Sequence, residues 1–126
     1  MTGRKFRPMT QYEQAVLDRM LELPFEGRDE LRRQSKHALV REIADAGDHA
    51  GSIEFKVEGD SRAFVRWSVP VEGRGRDSDG AEVDFLLHLK AGIIDTLEVV
   101  KADGSNITRM PSAETLDVAL LTYSKP

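Results

Sequence analysis

The chain has 126 residues, 40% hydrophobic and 32% charged, with three histidines and no cysteine. That length suits one domain with a self-sufficient core, and the composition excludes a disordered tail. The missing cysteine excludes disulfides, a thiol nucleophile and Cys-type zinc or iron–sulfur sites. The net charge of −4 is uneven. Residues 1–41 hold nine Lys/Arg and six Asp/Glu, a balance of +3, while residues 42–126 hold nine and sixteen, a balance of −7. An acidic back half argues against direct nucleic-acid binding, which needs a concentrated basic face, and suits a basic protein partner. The basic start Arg4-Lys5-Phe6-Arg7 is followed by Gln11, Glu13, Gln14 and Asp18 rather than an apolar run. The sequence therefore predicts no signal peptide, no membrane span and a cytoplasmic location.

Thr10-Gln11-Tyr12-Glu13 reads as a capping box, and Tyr12, Val16, Met20 and Leu23 recur at helical spacing up to Pro24. A second, shorter helix starts after Gly27, with Asp29 as its expected N-cap and Leu31, Gln34, Ser35 and Ala38 inward. From Ala38 to Ala44 the pattern alternates, which predicts a first strand, although a helix continuing to Ala46 fits the same residues. Ile53, Phe55 and Val57 form an inward row with period two. Val65, Trp67, Val69 and Val71 form a second row, whose Pro70 belongs at an edge or a bulge. Val83, Phe85, Leu87 and Leu89 form a third, with Glu82, Asp84, Leu86, His88 and Lys90 outside. Ala91-Gly92 turns into a strand over Ile93–Lys101, Asn106–Met110 reads as a short returning strand, and Ser112 as the N-cap of a last helix through Thr115, Leu116 and Ala119. Short turns force antiparallel neighbours. The expected fold is α+β: a curved, meander-like antiparallel sheet of about five or six strands, two N-terminal helices packed on one face and a short C-terminal helix. It forms a single domain over 1–126, with 1–9 and 122–126 frayed.

Asp77-Ser78-Asp79-Gly80-Ala81-Glu82 resembles the opening of a calcium loop but lacks the third loop acid and the distal bidentate Glu, so a hairpin turn is the better reading and no metal is expected. Asp45, Asp48 and His49 lie beside Gly47 and Gly51 and could pose as an acid–base group, but they read better as a flexible polar loop with no nucleophile tied to them. His37 and His88 read as ordinary exposed histidines. Gly73-Arg74-Gly75-Arg76 reads as a mobile hairpin loop, not an RNA-binding repeat, and Asp29 and Glu30 dilute a basic ridge of Arg28, Arg32, Arg33, Lys36 and Arg41. No catalytic residue, metal or cofactor is expected. The outward acids Glu54, Glu58, Glu82 and Asp84, with Asp77 and Asp79 in the connecting loop, are the candidate partner-binding residues, because crowded like charges on one sheet face suit a cationic partner.

Gly51-Ser52-Ile53 opening a strand, Asp77-Ser78-Asp79-Gly80 in a hairpin, and Leu97-Glu98-Val99-Val100-Lys101-Ala102-Asp103-Gly104 followed by Ile107 and Met110-Pro111 form a layout over most of the chain. It resembles small bacterial α+β domains that look like the immunity proteins of contact-dependent growth-inhibition and polymorphic toxin systems. The resemblance implies a cytoplasmic protein, not an enzyme, that binds a cognate toxin domain, often a basic nuclease, and occludes its active site. It brings no catalytic residues. The alternatives are a ligand-binding domain or enzyme with a pocket between helices and sheet, with Asp48 and His49 at its mouth, and a homodimeric module pairing through an exposed strand edge.

Overall fold

The computed structural model describes residues 5–43, 51–59 and 61–123. The capping box is formed: the Glu13 N–H donates to Thr10 Oγ1 at 3.1 Å and the Thr10 N–H to Glu13 Oε1 at 2.9 Å. Helix α1 therefore starts at Gln11, and it buries Val16, Leu17 and Met20. It ends at Met20, short of the expected Leu23, because the residue before Pro24 is biased away from helical geometry. Arg7 donates twice to the Glu13 carboxylate, at 2.8 and 3.0 Å, and so fastens the two-residue strand β1 (Arg7–Pro8) to the start of α1.

Helix α2 spans Arg28–Ser35, and its N-cap is Gly27 rather than the expected Asp29, which sits in the first turn. Gly27 has φ +90°, and a Cβ there would stand 2.5 Å from Val65 Cγ2 and 2.9 Å from the Phe64 carbonyl oxygen. Both the backbone angle and the close approach thus require glycine at the one place where the chain can enter this helix.

The remaining elements are β2 (Leu39–Glu42), β3 (Ile53–Lys56), β4 (Val69–Arg76), β5 (Glu82–Lys90), β6 (Ile93–Lys101), a single 3-10 turn at Ala113–Thr115 and β7 (Asp117–Tyr123). They form one open antiparallel sheet in the order β1-β2-β3-β6-β5-β4-β7. This corrects the expected curved meander of five or six strands: the described residues form seven strands in one open sheet, with β1 and β7 at its edges. Sequential pairing fails because the long connection after β3 carries the chain past two strand positions before β4 begins. The tight turns β4–β5–β6 then bring it back, so β6 rather than β4 pairs with β3. The expected C-terminal helix is also absent. Leu116 and Ala119 have helical spacing, but the unpaired side of β4 offers Asp117–Tyr123 a ladder partner, and pairing overrides a weak local pattern.

The rows anchored on Ile53, Val83 and Leu97 fall where the alternation places them. Three other segments do not. Residues 61–68 extend no strand but cross the end of the sheet, where the Ala63 N–H donates to the Gly92 carbonyl at 2.8 Å and the Leu89 N–H to the Ser68 carbonyl at 2.7 Å. Gly73–Arg76, expected as a mobile loop, is the second half of β4, and Asn106–Met110 forms no strand. Pro70 lies at the register shift between Val69 and Val71, where its missing N–H breaks no regular ladder.

Both helices cover one face, where Val16, Leu17, Met20, Leu21 and Leu31 pack on Val40, Phe55, Val71, Phe85, Leu87 and Leu97. Gln34 braces α2 against the sheet end. Its amide donates to the carbonyls of Ser61 (2.7 Å) and Gly92 (2.9 Å) and accepts from the Ile94 N–H (3.0 Å), so a buried polar side chain is fully used. Gly75 is needed for a different reason. A Cβ there would stand 2.7 Å from Pro111 Cβ and 2.9 Å from Leu116 Cδ2, so the bare backbone lets the segment after β6 lie flat on the sheet. Gly75→Ala is expected to destabilise the domain by about 1–3 kcal/mol through overpacking, read as a lower urea midpoint at unchanged m-value.

Candidate functional site

The six acids expected to form one binding face do not lie together. Glu54 pairs across the sheet with Arg41. Glu82 and Asp84 stand 3.9 and 3.0 Å from Arg74 Nε. Glu58 is exposed on the connection after β3. Asp77 and Asp79 both turn to Lys101, on the helix-covered side. The uncovered sheet face is thus a lattice of opposite charges, stabilised by cross-strand pairing, rather than an acidic patch. Asp45, Asp48 and His49 lie outside the described residues. Among the described residues, no group of His, Asp and Glu side chains could hold a metal ion.

The densest polar cluster is built around Lys101, whose side chain is 1% exposed. It continues the inward row of Leu97 and Val99 at the end of β6, and its Nζ donates to Asp77 Oδ2 (2.9 Å), Asp79 Oδ2 (2.6 Å) and the Asn106 carbonyl (3.1 Å). Asp77 also accepts the N–H groups of Ser78 (2.6 Å), Thr108 (2.7 Å) and Arg109 (2.8 Å). Burial alone pushes the Asp77 carboxyl up, but the Lys101 ammonium and the Thr108, Arg109 and Ser78 N–H groups outweigh it and hold the carboxyl well below the usual carboxylate range. Lys101 bonding and the Ala81 N–H likewise lower Asp79, and the Asp79 and Asp77 carboxylates raise Lys101 against its burial. The cluster sets one ammonium against two carboxylates, a net charge of −1, and fixes the backbone of residues 106–109.

From that fixed point the chain runs to Pro111, seated on Gly75, whose carbonyl accepts the Tyr12 hydroxyl at 2.6 Å. Burial pushes the Tyr12 phenol up to about 12, so it stays a neutral donor at physiological pH. A cleft of about 450 Å³ opens here, between the start of α1, the end of β4 and the 109–115 segment. Alternation could have flagged Lys101, since it shares parity with Leu97 and Val99. It carries no signal for this cleft, because residues 105–112 follow no period.

A second hollow, of about 200 Å³, lies beside β7 and is lined by Phe25, Val65, Trp67, Pro70, Leu120 and Leu121, with Glu26 and Arg66 at its rim. Phe64 (82% exposed) and Leu120 (48%) are the large exposed apolar side chains, and the Arg66 guanidinium lies 5.0 Å from the Trp67 ring centre. His88, expected to be exposed, is instead buried on the uncovered face. Its Nε2 lies 2.8 Å from Glu98 Oε1, while its Nδ1 has no partner among the described residues.

A family model described as "Domain of unknown function (DUF6984)" matches residues 6–111. The chain belongs to this family. No curated protein and no solved structure matches it. The DUF6984 span takes in β1 to β6 and the Lys101-anchored segment and stops before β7. It speaks neither for nor against toxin binding. No helix among the described residues is long and apolar enough to cross a membrane.

The Lys101 cluster sets the pH dependence of stability. The folded-state carboxyls of Asp77 and Asp79 are lowered, so their contribution is complete above the ordinary Asp range and is lost as the pH falls below about 4. That of Lys101 is complete below the ordinary lysine value and is lost only as the pH rises through its raised folded value. Tm is expected to be flat between roughly pH 6 and 9 and to fall on acidification. Lys101→Met is expected to lower Tm at neutral pH by roughly 10 °C. That deficit should shrink toward low pH, where protonation neutralises the stranded Asp77; thermal melts of both proteins across pH check this.

Proposed function

We propose that this DUF6984 domain works by binding another protein, with β7 as the contact strand. The observation that carries this reading is the contrast between the two sheet edges. β1 is two residues long, contains Pro8 and is tied down by Arg7 and Glu13. β7 is Asp117-Val118-Ala119-Leu120-Leu121-Thr122-Tyr123, with no Lys, Arg or Pro, and its outer side pairs with no strand among the described residues. A long apolar edge of this kind is a template for strand addition. The adjacent hollow supplies pockets for alternate side chains of an added strand, and Leu120 stands between the two. The occupant in this reading is an extended segment of a partner protein, main chain paired to β7 and apolar side chains in the Phe25–Trp67 hollow.

For the partner we propose a toxin domain that this protein neutralises in the cytoplasm by occlusion, not by catalysis. What supports that choice is the resemblance of the turn layout of Gly51-Ser52-Ile53, Asp77-Ser78-Asp79-Gly80 and Leu97–Gly104 to immunity proteins. The test expresses the C-terminal segment of the neighbouring upstream reading frame in a naive bacterium, with and without this protein. Rescue of growth and a co-purifying complex are expected with the wild type. Leu120→Lys, an exposed substitution, should leave Tm unchanged and weaken the complex by at least about tenfold. Toxicity without rescue would overturn the immunity role, and rescue by Leu120→Lys equal to wild type would overturn the β7 contact.

A further inference from the structure

The cleft at the other end of β7 has a chemistry of its own. Its lining includes the polar Arg76, Asp77, Ser78 and Arg109 together with Tyr12, Met110 and Pro111. Its two arginines are not answered by acids. Arg76 Nη1 donates to the Gly80 carbonyl at 2.8 Å, a neutral acceptor, and Arg76 forms no ion pair among the described residues. The Arg109 guanidinium has neither a hydrogen bond nor an ion pair there, although its own backbone N–H is pinned at 2.8 Å to Asp77 Oδ1.

The nearby carboxylate does not cancel them. Asp77 Oδ1 is occupied by the Ser78 and Arg109 N–H groups and the Ser78 hydroxyl, and Oδ2 by the Thr108 N–H and Lys101. Asp77 is enclosed and matched by a buried lysine, and although Arg76 also borders Glu82 and Asp117 on its other side, neither guanidinium of the cleft forms an ion pair among the described residues. The wall beneath is fixed in advance: Pro111 sits on Gly75, Tyr12 holds the Pro111 carbonyl, and the Lys101 cluster holds residues 106–109. A rigid pocket of about 450 Å³ falls in the size range of small-molecule sites, and a prearranged wall lowers the ordering cost of binding.

We propose that this cleft binds a small phosphomonoester, its phosphate held between Arg76 and Arg109 and a ring-sized remainder against Tyr12, Met110 and Pro111. Two planar guanidiniums present paired N–H donors that match phosphate oxygens, which single ammonium groups do not. The cleft shares no residue with the hollow beside β7, so failure of either proposal leaves the other standing.

Isothermal titration of the full chain at low salt with AMP, inorganic phosphate and adenosine tests the site. AMP is expected to bind saturably in the micromolar to millimolar range, phosphate more weakly, and adenosine not at all. Arg76→Ala and Arg109→Ala, both exposed, should each weaken AMP by at least about tenfold without lowering Tm. Arg62→Ala, an exposed arginine elsewhere, should leave the affinity unchanged. The proposal is overturned if neither AMP nor phosphate binds below about 10 mM, if adenosine binds as tightly as AMP, or if Arg62→Ala weakens binding as much as the two cleft variants do.

Discussion

A lysine ammonium cannot be taken out of water unless anions and acceptors meet it, and much of this domain follows from satisfying Lys101. The end of β6 points inward, so Asp77 and Asp79, in the turn before β5, have to fold back over the same side of the sheet. The Asn106 carbonyl has to come within reach, which fixes the course of the chain after β6. Asp77 in turn gathers the N–H groups of Thr108 and Arg109. That places Pro111 over β4, where only a glycine at 75 leaves room for it. Leu116 lands beside it, and the chain emerges against the free side of β4 as β7. One buried cation thereby sets the position of two loops, a glycine and the last strand.

Part of this was legible in the residues. Period-two alternation found β3, β5 and β6, and Thr10 and Glu13 announced the first helix, because each signal lies within a few positions along the chain. Lys101 sat within reach of the same logic. Its parity with Leu97 and Val99 places it inward, but counting back from the Ala91-Gly92 turn puts it opposite Glu82, and only the register shift between His88 and Leu89 brings it opposite Val83. Other features have causes that no local window holds. Gly73-Arg74-Gly75-Arg76 has a loop's composition, yet its glycines answer to Met20, Pro111 and Leu116, which are distant in sequence. β7 looked helical because Leu116 and Ala119 share a helical face, and its true partner lies more than forty residues away. Strand order itself depended on the crossing by residues 61–68, which carry strand-like residues but answer to Gly92, Gln34 and Gly27.

The charges make the same point. The excess of acids in the back half suggested an acidic sheet face, but sign and number say nothing about pairing. Arg41 and Arg74 lie in register with Glu54 and Asp84 and answer them on the uncovered face. Asp77 is consumed in the interior, and the half-exposed Asp79 turns to the same lysine. Arg76 and Arg109, carried by two segments that the Lys101 cluster draws together, are among the cations that form no ion pair among the described residues. A net charge of −4 is thus compatible with a local cationic cleft, because the buried pairing removes acids from the very region where they are most concentrated in sequence.

The two sheet edges were treated differently by the same chain, and the difference is physical. At β1, Pro8 removes a donor, Arg7 is held by Glu13, and the Phe6 ring lies 4.3 Å from the Arg41 guanidinium, so an approaching strand meets charge and a short ladder. At β7 none of these devices is present: seven residues of mainly apolar side chains continue the sheet to an open row of main-chain groups. An unprotected edge is an aggregation hazard in proportion to its length and apolarity, and a covered one is not. β7 also lies beyond the DUF6984 span, which ends at Pro111. The Lys101-centred frame therefore belongs to the part described by the family, and β7 follows it. A change along β7 leaves the buried cluster undisturbed, since every hydrogen bond of Lys101 and Asp77 closes before β7 begins.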